Sequence, residues 1–292
     1  MTSILTRETV PTTRTRSQPG TPLERAAPVR VRSRAFKPLR RAVHKSAAIV
    51  LFLILWEIGP LVLLPASVRV FLPPLHDVLI AAWQLIQSGD LQANTAASLS
   101  RAALGFSVAV AVAVPAGLLI AWYGWLDSFL TPLLELFRNT SALALLPVFT
   151  LLLGIGEISK ITVVAYAAFF PILLNTIAGV RTVDPLLIRA AHSLGLGRLR
   201  LFAKVILPSA VPTIFTGIRM GGAGAILVLV AAEMVGAKAG LGFLIVNSQN
   251  SFLIPDMYAG ILAIALLGLA VNTLLVALER RFSRWRQTTR VG

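Results

Sequence analysis

The stretch from Asp184 to Pro208 reads DPLLIRAAHSLGLGRLRLFAKVILP. Asp184 is suited to cap a helix and Pro185 to stand in its first turn, where a missing N–H costs nothing. Leu187, Ala190, Ala191 and Leu194 follow at i, i+3, i+4 and i+7, which places them on one face of a short helix. Gly195 supplies a left-handed stop, and Leu196 and Gly197 the bend. Leu199, Phe202, Ala203 and Ile206 repeat the spacing until Leu207-Pro208 ends the second helix. Arg189, Arg198, Arg200 and Lys204 keep the segment basic. A plain linker would not hold two apolar faces in register among charges. The faces call for a partner surface: a groove on another protein, where the small Ala190 and Ala191 permit close approach, or the chain's own neighbouring segments. The residues leave both open.

Working outward, apolar runs flank this loop on both sides, from Ile161 to Val180 and from Ile214 to Val235. Further runs cover Ser46 to Leu64, Ala102 to Trp122, Phe129 to Leu153 and Met257 to Leu278. Crossing hydrocarbon takes roughly 20 apolar residues, so the pattern predicts an all-α polytopic membrane protein with about six transmembrane helices. Composition agrees: 56% of the 292 residues are hydrophobic, mean hydropathy is +0.80, and 13% are charged, against about 25% in a soluble domain. Gly217, Gly221 and Ala225 recur every four residues and let a second helix come close, as bundle packing within the chain or as the seam of a dimer. The run from Phe129 to Leu153 is the most interrupted, with Pro132, Glu135, Arg138 and Asn139 in one half.

Basic residues on short loops mark the cytoplasmic side. Three segments qualify: the stretch before Ser46, the Asp184–Pro208 loop with Arg181, and the end bearing Arg280, Arg281, Arg284 and Arg286. Even numbers of spans separate them, so both termini are expected on the cytoplasmic side. The organisation expected is a basic, disordered tail over 1–45, a first span over 46–66, and an outer loop over 67–100. That loop carries an amphipathic helix through Val78, Ala81, Ala82 and Leu85. A core follows over 101–282 with the loop 184–208, then a basic tail over 283–292. The net charge of +15 is concentrated in the first tail. It therefore argues for solvent or anionic lipid headgroups and against nucleic acid.

Cysteine is absent, which excludes disulfides and thiolate chemistry. His44, His76 and His192 are scattered, so no metal site is expected. No phosphate-binding G-x-x-x-x-G-K-[ST] loop occurs, so any ATP hydrolysis must come from another subunit.

The loop resembles that of binding-protein-dependent importer permeases, which carry E-A-A, three residues, G, nine residues, I, one residue, L-P. Arg189, Ala190, Ala191, Gly195, Val205, Leu207 and Pro208 match that spacing without a gap, with Arg189 in place of glutamate and Val205 in place of isoleucine. Gly154 to Lys160, Phe169 to Thr176, Gly179 to Pro185 and Ala232 to Ala237 resemble the nitrate/sulfonate/taurine type. The resemblance implies a type I ABC-importer permease fold in a bacterial inner membrane. The loop would be a coupling helix seated in a groove of an ATP-binding-cassette ATPase subunit, which holds the ATP and magnesium. Ala190, Ala191 and Gly195 would give contact and turn, and Pro208 the return to the membrane. A second permease copy and an extracytoplasmic solute-binding protein complete the implied assembly. The implied solute is a small oxyanion, an aliphatic sulfonate first, taurine or nitrate next, with uncharged heterocycles in the wider set.

Asn175, Arg219 and Glu233 are the polar intrusions in the runs and the candidates for a solute path or gate. Glu233, at the outer end, is either a gate or binding-protein contact or an ordinary interfacial residue. The rival reading is a self-contained secondary transporter driven by an ion gradient. It needs ionisable groups at mid-membrane and often two repeated halves. Asn175 and Arg219 both sit toward the expected cytoplasmic side, and no internal repeat is visible.

Overall fold

The computed structural model describes residues 36–63 and 65–282, and no strand occurs among them. The chain divides into two compact units, residues 1–50 and 51–292. Most of the expected first tail and all of the last one lie outside the described residues. The first helix, α1 (Phe36–Leu63), starts inside the segment expected to be disordered and carries the apolar stretch Ala47–Val62. A short turn of helix, α2 (Ala66–Arg69), follows.

The amphipathic helix is present as α3 (Leu75–Ser88). Val78, Ala81 and Leu85 are buried against Leu241, Leu244 and Ala259, while Ala82 is half-buried beside them. Gly89 ends α3 in the left-handed region, with φ of 85°, and Asp90 opens the next helix at once. That helix, α4 (Asp90–Trp122), therefore begins well ahead of the Ala102 expected from hydropathy.

The single span expected from Phe129 to Leu153 is instead two pieces, α5 (Gly124–Arg138) and α6 (Leu146–Leu153). At 15 residues, α5 reaches about 22 Å against the roughly 30 Å of hydrocarbon. Polar side chains cause the break. Asn139 Nδ2 donates to the Glu135 carbonyl at 2.8 Å and Thr140 Oγ1 to that of Leu136 at 3.2 Å, so side chains satisfy the last carbonyls and the helix stops.

The remaining helices are α7 (Glu157–Arg181), α8 (Pro185–Ser193), α9 (Arg198–Leu201), α10 (Leu207–Met234), α11 (Leu241–Asn250) and α12 (Ile254–Phe282). Among the described residues, four segments are long and apolar enough to cross a membrane: α4, α7, the continuous run from α9 through α10, and α12. Side chains such as Leu104 and Val112 on α4 and Leu266 and Leu269 on α12 stay exposed, as lipid contact allows.

The core is the packing of α7 between α4 and α10, around Val163, Val164, Ala168, Ile172, Leu173 and Leu229. Glycine lets the backbones touch. A Cβ on Gly105 would lie 2.7 Å from the Ile161 carbonyl oxygen, and one on Gly217 would lie 2.5 Å from Asn175 Cβ. A Cβ on Gly221 would lie 2.9 Å from the Ala168 carbonyl oxygen. The small-residue stripe of α10 thus meets α7 of the same chain, and intrachain packing uses up the face that a dimer seam would need.

Candidate functional site

At one end of the bundle, the loop between α7 and α10 is built by its own short-range chemistry. Asp184 Oδ1 accepts from the Leu186 N–H at 2.8 Å and caps α8, with Pro185 in its first turn. Gly195, at φ of 73°, lets its own N–H and that of Leu196 return to the His192 and Ala191 carbonyls, at 2.9 and 3.1 Å. The second helix departs from expectation because it does not end at Pro208. It passes through a π turn, Phe202–Ile206, straight into α10. Pro208 has no N–H to donate, and its ring would crowd the carbonyl four residues back. The wider turn just before it, in which the Leu207 N–H reaches the Phe202 carbonyl, absorbs that conflict.

The two expected apolar faces divide. Ala191 joins Val180, Val183, Leu201, Ile206, Ala210 and Ile214 in a buried cluster, with Ile188, Val205 and Leu207 packed at its edge. Leu187 and Ala190 face outward, and Leu194 and Leu199 are 80% and 82% exposed. Leu201, not Leu199, anchors the second helix, and Ala203 is exposed. The Arg189 guanidinium is exposed without a partner among the described residues. Trp122 at the end of α4 meets Phe202 edge-on, ring centres 4.8 Å apart. Arg181 pairs with Asp127, tying the end of α7 to the start of α5.

The opposite end holds a buried polar cluster. Glu233 on α10 is fully enclosed, and its carboxylate accepts from Arg101 Nη1 at 2.6 Å and from the Ser98 hydroxyl at 2.7 Å. The Gly242 N–H adds a third bond at 3.1 Å, so the carboxylate also serves the start of α11. Arg101 is shared with Glu157 of α7, whose side chain is 61% exposed, and with the Ala239 carbonyl at 2.7 Å. Asn94 Oδ1 and Ser98 Oγ accept from the Gly240 and Leu241 N–H groups, each at 2.8 Å. Lys160 is buried nearby, its ammonium 3.1 Å from the Gly156 carbonyl. α4, α7, α10 and the loop before α11 are thereby held together by charge.

Residues 113–287 match the family described as the binding-protein-dependent transport system inner membrane component. The chain belongs to that family. It is 38% identical over 256 residues to the taurine transport system permease protein TauC of Escherichia coli (strain K12), covering 85% of this chain and 92% of the relative. It is 34% identical over 235 residues to the putative aliphatic sulfonates transport permease protein SsuC of Bacillus subtilis (strain 168), covering 80% and 84%. Among solved structures, the inward-facing MetNI methionine ABC transporter aligns with a TM-score of 0.56 at 16% identity, over 68% of this chain and 96% of that one. The fold is that of type I ABC importer permeases, and the protein is a multi-pass inner-membrane permease.

The permease brings together the loop residues that spacing picked out, and keeps the three solute-path candidates apart. Asn175 bonds within its own helix, Nδ2 to the Pro171 carbonyl at 2.8 Å, and serves as the seat for Gly217. Arg219 stands 3.6 Å from Glu279 of α12, both partly exposed. Glu233, expected as a gate or binding-protein contact or as an ordinary interfacial residue, is enclosed in the cluster. Arg101, Ser98 and Glu157 were not singled out from the sequence. One signal for them existed: Arg101, Glu157, Lys160 and Glu233 are charges at the same-side ends of three apolar runs, where an unpaired charge is costly.

Proposed function

We propose that this permease is the membrane subunit of an ATP-driven importer for a small oxyanion, in the first place an aliphatic sulfonate. A partner ATPase, which carries ATP and magnesium, seats the outward half of the α8–α9 loop. A second permease copy and an extracytoplasmic solute-binding protein complete the assembly, and both termini lie on the cytoplasmic side. One observation carries the reading. The loop is anchored through Ala191, Leu201 and Ile206, yet presents Leu187, Ala190, Leu194 and Leu199 unpartnered among basic residues. An exposed apolar strip on an anchored polar loop is what a helix-in-groove contact requires. Arg189 calls for an acidic group on the ATPase side of that contact. The sulfonate assignment draws its support from the relatives named for taurine and aliphatic sulfonates.

The test is uptake by the complex reconstituted in vesicles with its ATPase and binding protein, supplied with taurine, an alkanesulfonate or nitrate. Ala190→Trp alters only the outward face, and is expected to abolish solute-stimulated ATP hydrolysis while permease abundance stays unchanged. Full coupling in that variant, or uptake driven by an ion gradient without ATP, would overturn the proposal.

A further inference from the structure

The segment from Arg198 to Met234 is one continuous helical run of 37 residues, and three irregularities meet at a single point of it. The first is the π turn at Phe202–Ile206. The second is Pro208 immediately beyond, which removes a backbone donor where the helix most needs one. The third is a cavity of about 380 Å³ beside the turn, lined by Pro115, Leu118, Trp122, Tyr123, Leu199 and Phe202. Burial along the run shows what the turn does. Leu201, Ile206, Ala210 and Ile214 all face one cluster. The later steps are four residues, as an α-helix demands, but the first is five. Only an inserted residue keeps Leu201 and Ile206 on the same side.

Beyond the turn, α10 is not free to follow the loop. Gly217 and Gly221 press against the α7 backbone, and Glu233 is locked to Arg101 and Ser98 at the far end. At its other end the loop joins α7 through the non-helical residues Thr182 to Asp184. A push on the α8–α9 loop therefore meets a fixed rod on one side and a soft, roomy turn between.

We propose that the Phe202–Ile206 turn is a hinge, about which the loop swings relative to α10 as Phe202 slides on Trp122 into the adjoining cavity. This rests on the reading of the loop as the ATPase-docking element. Phe202 and Trp122 are positioning residues in it and touch no solute.

The chain contains no cysteine, so paired labels can be placed cleanly. Spin labels on Ser193→Cys and Ser209→Cys bracket the turn; labels on Ser209→Cys and Ala223→Cys lie within α10. Distances are read in the assembled complex, without nucleotide and with a non-hydrolysable ATP analogue. The expected result is a shifted distance across the turn and an unchanged one within α10. ATP-driven uptake by the labelled complex together with the same 193–209 distance in both states overturns the hinge alone. Absence of ATP-driven uptake in the unlabelled parent overturns the docking reading and the hinge with it. A second variant, deletion of Ala203 combined with Pro208→Ala, makes the run a regular α-helix while keeping Leu201 and Ile206 on one face. It is expected to bind the ATPase and lose uptake; wild-type uptake in it refutes the hinge.

Discussion

Truncating Glu233 to alanine should be the most damaging single change at the polar end of the permease. The carboxylate is enclosed, and Arg101, which pairs with it at 2.6 Å, has a side chain only 5% exposed. Removing one partner of a buried pair leaves a charge in low dielectric and costs about 3–5 kcal/mol. The Gly242 N–H and one Ser98 bond lose their acceptor as well, each worth about 1 kcal/mol or more when left unmade. Arg101 keeps Glu157 and the Ala239 carbonyl, which holds the total toward the lower part of that range. Glu157 shares the same guanidinium but is 61% exposed, so Glu157→Ala should cost about 1 kcal/mol or less. Denaturant unfolding of the purified permease in detergent, followed by tryptophan fluorescence, reads both. A double-mutant cycle with Arg101→Met should show that losing Arg101 and Glu233 together costs less than the sum of the two single losses. The reasoning fails if Glu157→Ala destabilises as much as Glu233→Ala, or if Arg101 and Glu233 prove additive.

Further outcomes follow from the local geometry. Gly240 has φ of 123° and its missing Cβ would press into the Glu233 carboxylate, so Gly240→Ala should lose about 1–3 kcal/mol in the same unfolding assay. Gly156→Ala, with open space around it, is the control. Gly217→Leu should separate α7 from α10 and reduce folded yield in the membrane. Gly224→Ala, which meets nothing within 4 Å, should instead gain about 0.5–1 kcal/mol by removing a helix-interior glycine. In the loop, Leu194→Asp should leave stability unchanged and reduce co-purification of the ATPase. Ala191→Leu overfills the buried cluster and should cost about 1–3 kcal/mol.

What could be read from the sequence was what depends on neighbours in the chain. The Asp184 cap, the Gly195 stop and the first loop helix are settled within four or five residues, and all three stand in the structure. Apolar runs located α4, α7, α10 and α12 because crossing hydrocarbon is a demand on local composition. The misreadings share a cause, a competing hydrogen bond or a distant partner. Counting apolar residues joined α5 to α6, because hydropathy does not register the Asn139 and Thr140 side chains taking over helix carbonyls. Proline rules ended the second loop helix at Pro208, whereas a wider turn upstream lets the helix continue. Arg101 lies 56 residues from Glu157 and 132 from Glu233, and no spacing rule pairs charges at that separation.

The loop faces carry the same lesson one step further. Periodicity grouped Leu187, Ala190, Ala191 and Leu194 as one face, and the two destinations for that face, the chain's own helices or another protein, were treated as alternatives. The structure turns part of that face inward and leaves the rest exposed. Ala191 and Ile188 turn inward, and Leu187, Ala190 and Leu194 turn outward, because an apolar stripe at i, i+3, i+4 and i+7 is wide enough to have two edges. The proposed docking role, in which the loop receives force from one body and delivers it to another, needs such an arrangement. A loop with only the inner edge could not be gripped, and one with only the outer edge would have nothing rigid behind it. Small side chains then become a requirement at the crest between the edges. Ala190 and Ala191 stand there, which accounts for alanine at both positions without appeal to helix propensity.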